Sequence, residues 1–180
     1  SALEERARVK LQKTQRLIPQ LFERANKKRS ADDIRIYRGM RGVQHYYLEV
    51  IQHQPAKSEV LILGVNSERY FQIFPPQELA FQSFEQTRIE KNITLKLLLF
   101  GTPERESALN EPRTYVDLRL LPDAIQAPND IMIWHDRVGM LFYGAEPYVL
   151  DLAGEQTVTG FQQYFQVLWK QGKKIKDRDS

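Results

Sequence analysis

The alternation of apolar and polar positions changes period several times along the chain. Ile34 to Arg38 alternates residue by residue and is closed by Gly39, which predicts a short half-buried strand. Val43 to Gln52 switches to helical spacing, with Val43, Tyr46, Tyr47, Val50 and Ile51 on one face and Pro55 as its stop. Glu59 to Gly64 is nearly continuously apolar, the mark of a strand covered on both faces. Pro75-Pro76 is expected to open a helix carrying Leu79, Phe81, Phe84 and Ile89. Thr94 to Phe100 is a second buried strand, followed by a polar loop from Gly101 to Arg113. Strand, helix, strand, helix, strand predicts an α/β fold with a mixed, largely parallel sheet between helices.

The second half changes character. Tyr115 to Leu121 reads as a strand stopped by Pro122, and Pro128-Asn129 as a loop. Ile131–Trp134 and Val138–Tyr143 are strands joined across His135-Asp136-Arg137, a hairpin, and Pro147–Leu152 is a further strand. Thr157 to Lys170 closes as a helix with Phe161, Tyr164, Phe165, Leu168 and Trp169 three and four apart. At the other end, Ala7, Leu11, Thr14, Ile18, Leu21 and Ala25 form a weak heptad stripe, with Pro19 as the expected kink. The organisation expected is a helical arm over 1–29 that dimerises, one domain over 30–172, and a frayed basic tail over 173–180.

Composition sharpens this picture in three respects. The 180 residues are 42% hydrophobic, enough for a core of one domain. No apolar run reaches membrane-spanning length, so no membrane partner and a cytoplasmic place are expected. Cysteine is absent, which excludes disulfides, cysteine-based zinc sites and cysteine nucleophiles. The chain opens Ser1-Ala2 without methionine or an apolar leader, and so reads as a processed fragment.

The net charge of +3 hides an uneven distribution. Residues 1–30 carry nine Lys/Arg against three Asp/Glu, and the last ten carry four against two. Residues 31–170 carry thirteen against eighteen. The body is acidic, and the basicity that would suggest nucleic acid lies at the ends.

Little in the chain points to catalysis. There is no nucleophile elbow, P-loop, HExxH or dinucleotide fingerprint. His45 and His53 stand eight apart on the second element, too far to share a metal ion. His135-Asp136 sits where a hairpin turn is expected, and the turn accounts for the aspartate. Glu85, Arg88, Glu90 and Lys91 are expected to form a solvated, salt-bridged helix face. The candidate ligand contributors are Arg38 and Arg41, in the strand-to-helix segment Tyr37-Arg38-Gly39-Met40-Arg41-Gly42, and Asn66 and Ser67 after the second strand. Arg113 joins them before the fourth strand. The bland reading beside each is turn relief by glycine and loop capping.

The order of these segments resembles the C-terminal effector-sensing domain of TrmB-type transcription regulators. The residues that carry the resemblance are "LIPQLFERAN" (17–26), "IRIYRGMRGVQHYYLEVI" (34–51), "EVLILGVNS" (59–67), "RIEKNITLKLLLF" (88–100), "LRLLP" (118–122), "IMIWHDRVGMLFY" (131–143) and "FQQYFQVLWKQG" (161–172). The resemblance implies a phospholipase D-like fold, a small-molecule effector (a sugar or an anionic metabolite), a homodimer, and DNA contact only through a winged helix outside this chain. It implies no cofactor. Phospholipase D-type catalysis uses histidine-x-lysine followed by aspartate; here His135-Asp136-Arg137 has arginine for lysine, and Phe142 stands where the aspartate would fall. The expectation is therefore a non-enzymatic sensor. The alternatives are an interaction module with a vestigial pocket and, third, a phosphodiesterase.

Overall fold

The structure is a computed structural model, and it describes residues 33–100, 113–121, 127 and 129–174. The chain divides into two compact units, Ser1–Asp33 and Ile34–Ser180. The helical arm expected over 1–29 lies outside the described residues.

In chain order the elements are β1 (Ile34–Arg38), α1 (Gly39–His53), β2 (Glu59–Val65), α2 (Ser67–Ile73), α3 (Leu79–Glu90), β3 (Thr94–Phe100), β4 (Val116–Leu121), β5 (Asn129–Ile133), β6 (Arg137–Phe142), β7 (Tyr148–Ala153), α4 (Glu155–Gln171) and β8 (Lys173–Lys174). The strands form one sheet in the order β1-β7-β6-β5-β2-β3-β4-β8.

The expectation of a largely parallel sheet is corrected here. Among the described residues only β2–β3 and β3–β4 pair in parallel. The other five neighbouring pairs are antiparallel. The strand-helix-strand pattern suggested that β1 and β2 are neighbours. They do run the same way, but the meander β5-β6-β7 inserts between them and reverses every pairing on that side. Short hairpin connections can make only antiparallel neighbours.

Strand alternation divides the core into two layers. Val60 and Ile62 of β2, Leu95 and Leu97 of β3, and Met132 of β5 pack with Val43, Tyr46, Tyr47 and Val50 of α1, Ile73 of α2 and Phe84 of α3. Leu61, Leu63, Leu98, Ile133 and Val138 point the other way, against Val158, Phe165 and Trp169 of α4. Arg119 on that face lays its guanidinium 4.5 Å from the Trp169 ring centroid.

Several local expectations shift. α1 begins at Gly39, not Val43, because Gly39 takes a φ of +73° that lets the chain turn from strand straight into helix. α2 was not expected, and Asn66 starts it by accepting the Arg69 N–H at 3.1 Å. α3 begins at Leu79; Pro75-Pro76 instead occupy the turn before it. Its apolar face is not the one the spacing predicts, since Leu79 and Ile89 are exposed whereas Phe84 and Arg88 are buried. Lys173 and Lys174, placed in the frayed tail, pair as β8 with Leu120 and Arg119 of β4.

Candidate functional site

The bulge in β2 builds the site. Register with β3 slips between Leu63 and Val65, and Gly64 takes a φ of +74° at the slip. A Cβ there would stand 2.6 Å from the Ala127 Cβ and 3.0 Å from the Asn129 carbonyl oxygen, so only glycine fits. The bulge carries the chain over the carboxyl end of the sheet into Asn66 and then α2. A cavity of about 40 Å³ lies beneath. Ile62, Leu95 and Leu97 form its apolar floor, and Tyr70 and Phe71 of α2 lie over it. Ser67, Arg113 and Asp130 supply its polar groups. This volume holds about two or three waters, not a metabolite.

The polar groups are organised. Asp130 is 2% exposed; it accepts the Tyr143 hydroxyl at 2.6 Å and the Asn66 N–H at 3.4 Å. Burial, reinforced by Asp130, pushes the Tyr143 phenol far above its ordinary value, so Tyr143 is a fixed hydrogen-bond donor. Burial also raises Tyr70. The Arg69 guanidinium lies 5.8 Å from the Tyr143 ring centroid.

On the other side stands an ionic network that the sequence suggested would be solvated. Arg88 is fully buried and grips Glu85 with two nitrogens at 3.0 and 2.8 Å. Its remaining terminal nitrogen donates to the Ile93 and Tyr115 carbonyls. Arg113 reaches the same Glu85 at 2.8 Å, with Phe81 under its guanidinium. Burial opposes ionisation of Glu85, but Arg88 and Arg113 outweigh it and hold the carboxyl below its ordinary value. Lys91, the other cation of that face, turns away to bond the Ile51, Gln52 and Gln54 carbonyls at the end of α1.

The four residues singled out in the sequence separate into two places. Ser67 lines the cavity and is 2% exposed, while Asn66 beside it caps α2 and is not part of the lining. Arg38 lies at the same end of the sheet, but β7, β6 and β5 intervene, a span of about 19 Å at ordinary strand spacing. By the alternation of β1 its side chain also lies on the α4 side, opposite the cavity. Arg41 is exposed in the first turn of α1. Arg113 lines the cavity. Asp130, Tyr143 and Tyr70 were missed: Asp130 follows Asn129 in a stretch that reads as a loop, and nothing in the linear order ties it to Asn66.

The His135 segment also has a definite arrangement. His135 is exposed in the two-residue turn between β5 and β6, with its backbone N–H donated to Gln54 Oε1 at 3.0 Å. Arg137 is buried and bonded to Asp136 and Asp151 at 3.1 Å each. Phe142 stands at the far end of β6, stacked on Tyr148 at 4.9 Å. Arg137 stays protonated and pinned by two carboxylates, so it transfers no proton. Among the described residues no group of three or more His, Asp or Glu is placed to hold a metal ion. No helix among them is long and apolar enough to cross a membrane.

No family model matches the chain. No curated protein matches it either. Solved structures match in fold. TrmBL2, an archaeal chromatin protein whose structure shows a novel mode of DNA binding, superposes with a TM-score of 0.54 at 15% identity, over 96% of this chain and 66% of its own. The chain thus spans just under two thirds of TrmBL2. Nuc from Salmonella typhimurium, a phospholipase D family member, gives 0.53 at 13% identity, over 80% of this chain and 98% of its own. NucT from Helicobacter pylori gives 0.56 at 10%, over 80% and 99%. The fold is therefore phospholipase D-like and TrmB-like, and at these identities the likeness concerns fold alone.

Proposed function

We propose that this chain is the effector-sensing body of a TrmB-like transcription regulator, not an enzyme. The observation that carries the reading is the cavity under α2, which runs along one sheet face from Val65 at the carboxyl end of β2 past Ile62 to Leu97 and Leu95 of β3. It joins an apolar floor to Ser67, Arg113 and Asp130, a set suited to a small anionic or hydroxylated metabolite. Because the cavity is water-sized, an effector has to lift Tyr70 and Phe71, and so α2, to enter. That movement is the differential contact a sensor needs. Homodimerisation, a cytoplasmic place and DNA contact through a part outside this chain belong to the same proposal; the third of TrmBL2 that the chain leaves uncovered is consistent with it.

Isothermal titration with a metabolite panel, paired with hydrogen exchange over 67–73, tests the reading. A ligand that binds and changes exchange in α2 supports it. Binding that leaves α2 untouched, or no binding across the panel, sinks it. One observation favours a second reading, an interaction module: Ile34 and Ile36 on the edge strand, and Tyr164 and Val167 on α4, are all more than half exposed. A chain that sediments as a monomer at every concentration and captures no ligand would remove both readings.

A further inference from the structure

An open groove of about 620 Å³, sharing no lining residue with the cavity, runs between α4 and the amino end of β2, a volume that accommodates a mononucleotide. One wall is a neutral stripe of α4: Thr159, Gln162, Gln163 and Gln166 recur at helical spacing on one face. No hydrogen bond within the described residues uses these four side chains, so three primary amides stand with donors and acceptors unspent. Gln54 on the facing wall is fully committed. It is 3% exposed, takes the His135 N–H, and gives its amide hydrogens to Ser58 and the Glu59 carbonyl. It thereby fixes the turn that presents the His135 ring at the rim.

Charge at the mouth is also specific. Glu59, half-exposed in the lining, gives one carboxylate oxygen to Lys96 at 2.8 Å. Lys57, held at a φ of +59° with its N–H on the Lys91 carbonyl, has no ion pair among the described residues. The groove therefore offers uncharged two-way hydrogen bonding inside, one aromatic ring at the rim, and one uncompensated cation.

We propose that this groove binds an adenine nucleotide. A glutamine amide matches the N6 and N7 edge of adenine with two hydrogen bonds, an imidazole ring stacks on a base, and a lysine takes the phosphate. A bare sugar needs an exposed ring to stack on, but Trp134, the other aromatic in the lining, is 2% exposed. An added peptide strand finds no edge, because β2 and β5 are paired on both sides. The site is distinct from the cavity under α2, and its fate in an experiment is separate from that of the sensing proposal.

Calorimetric titration of the full chain with AMP, adenosine, GMP and inorganic phosphate tests it. AMP is expected to bind saturably below about 1 mM, with adenosine and GMP each weaker by about tenfold and phosphate alone weaker still. Gln162→Ala/Gln166→Ala is expected to weaken AMP by about tenfold or more, and Lys57→Gln to weaken AMP while leaving adenosine unchanged. All three positions are exposed, and unchanged thermal melts confirm that the variants fold. The proposal is overturned by absent AMP binding, by equal AMP and GMP affinity, or by an AMP affinity indifferent to the double variant.

Discussion

Replacing Arg88 with methionine keeps the volume of a fully buried side chain and deletes all its hydrogen bonds at once. The cost can be assembled from its partners. Glu85 loses two charge-assisted bonds at 3.0 and 2.8 Å but keeps Arg113 at 2.8 Å, so its carboxylate is weakened and not stranded. That loss is worth about 1 to 1.5 kcal/mol. The Ile93 and Tyr115 carbonyls, bonded at 3.1 and 3.3 Å, lose their side-chain donor at about 1 kcal/mol each at most. The expected destabilisation is about 3 kcal/mol, at the lower edge of what breaking a buried pair costs. Urea unfolding should show the midpoint falling by roughly 1 to 2 M with the slope unchanged. The partner variant Glu85→Gln isolates the pair: in a double-mutant cycle the two substitutions should cost about 1 kcal/mol less together than their sum. A loss for Arg88→Met below about 1 kcal/mol, or additivity in the cycle, would refute the claim that this network holds α3 to the loop before β4.

Acid titration should show the same network. The Glu85 carboxyl is held below its ordinary 4.5, so its stabilisation is complete above that value and is lost as pH falls through its folded value; Glu85→Gln should flatten the acid limb of urea midpoints there. Burial raises the Asp151 carboxyl above 3.8 despite Arg137 and Arg35, which gives the opposite sign: its contribution is greatest below 3.8 and fades as pH rises through its folded value. Gly139→Ala should destabilise by about 2 to 3 kcal/mol in thermal melts, because its Cβ would stand 2.8 Å from Cζ of the buried Tyr46 and still closer to its hydroxyl. Tyr143→Phe should cost about 1 to 2 kcal/mol by removing the 2.6 Å bond to buried Asp130, and a cost near zero would mean that solvent replaces the hydroxyl there.

The elements were legible in the sequence where one period governs a stretch. β1, β2, β3 and β4 fall within a residue of their expected ends: β2 and β3 are covered on both faces and read as continuous apolar runs, and β1 is covered on one face and alternates. The neighbours of each strand were not legible, since the order β1-β7-β6-β5-β2 is set by contacts far apart in the chain. α2 was missed because seven residues between Asn66 and Phe74 offer too few turns to show a period, and the cap that starts it is one side chain. Arg88 misled for a different reason. Arginine beside two glutamates normally signals a wet surface, but a guanidinium with enough acceptors can be enclosed. At the site, Ser67 lines the same cavity as Arg113 with Asn66 next to it, while Arg38 shares only the end of the sheet and not the face.

The charge pattern around the cavity bears on which effector could enter it. Arg113 is one of two arginines on Glu85, and Arg88 alone gives that carboxylate two bonds. An anionic ligand could therefore take Arg113 without stranding Glu85, exchanging one ion pair for another at little net electrostatic cost. Asp130 faces the same space and is held by Tyr143, so a ligand with a second negative group would meet repulsion there. On the proposed sensing reading, an occupant would direct a single anionic group toward Arg113. Lifting the half-buried Tyr70 and Phe71 costs it buried apolar area, about 2 to 3 kcal/mol for the two together, which lowers apparent affinity by roughly thirty- to 150-fold. On the same reading, a ligand too small to replace that area with its own surface would leave α2 closed, so within the metabolite panel monoanions large enough to refill the space should bind most tightly.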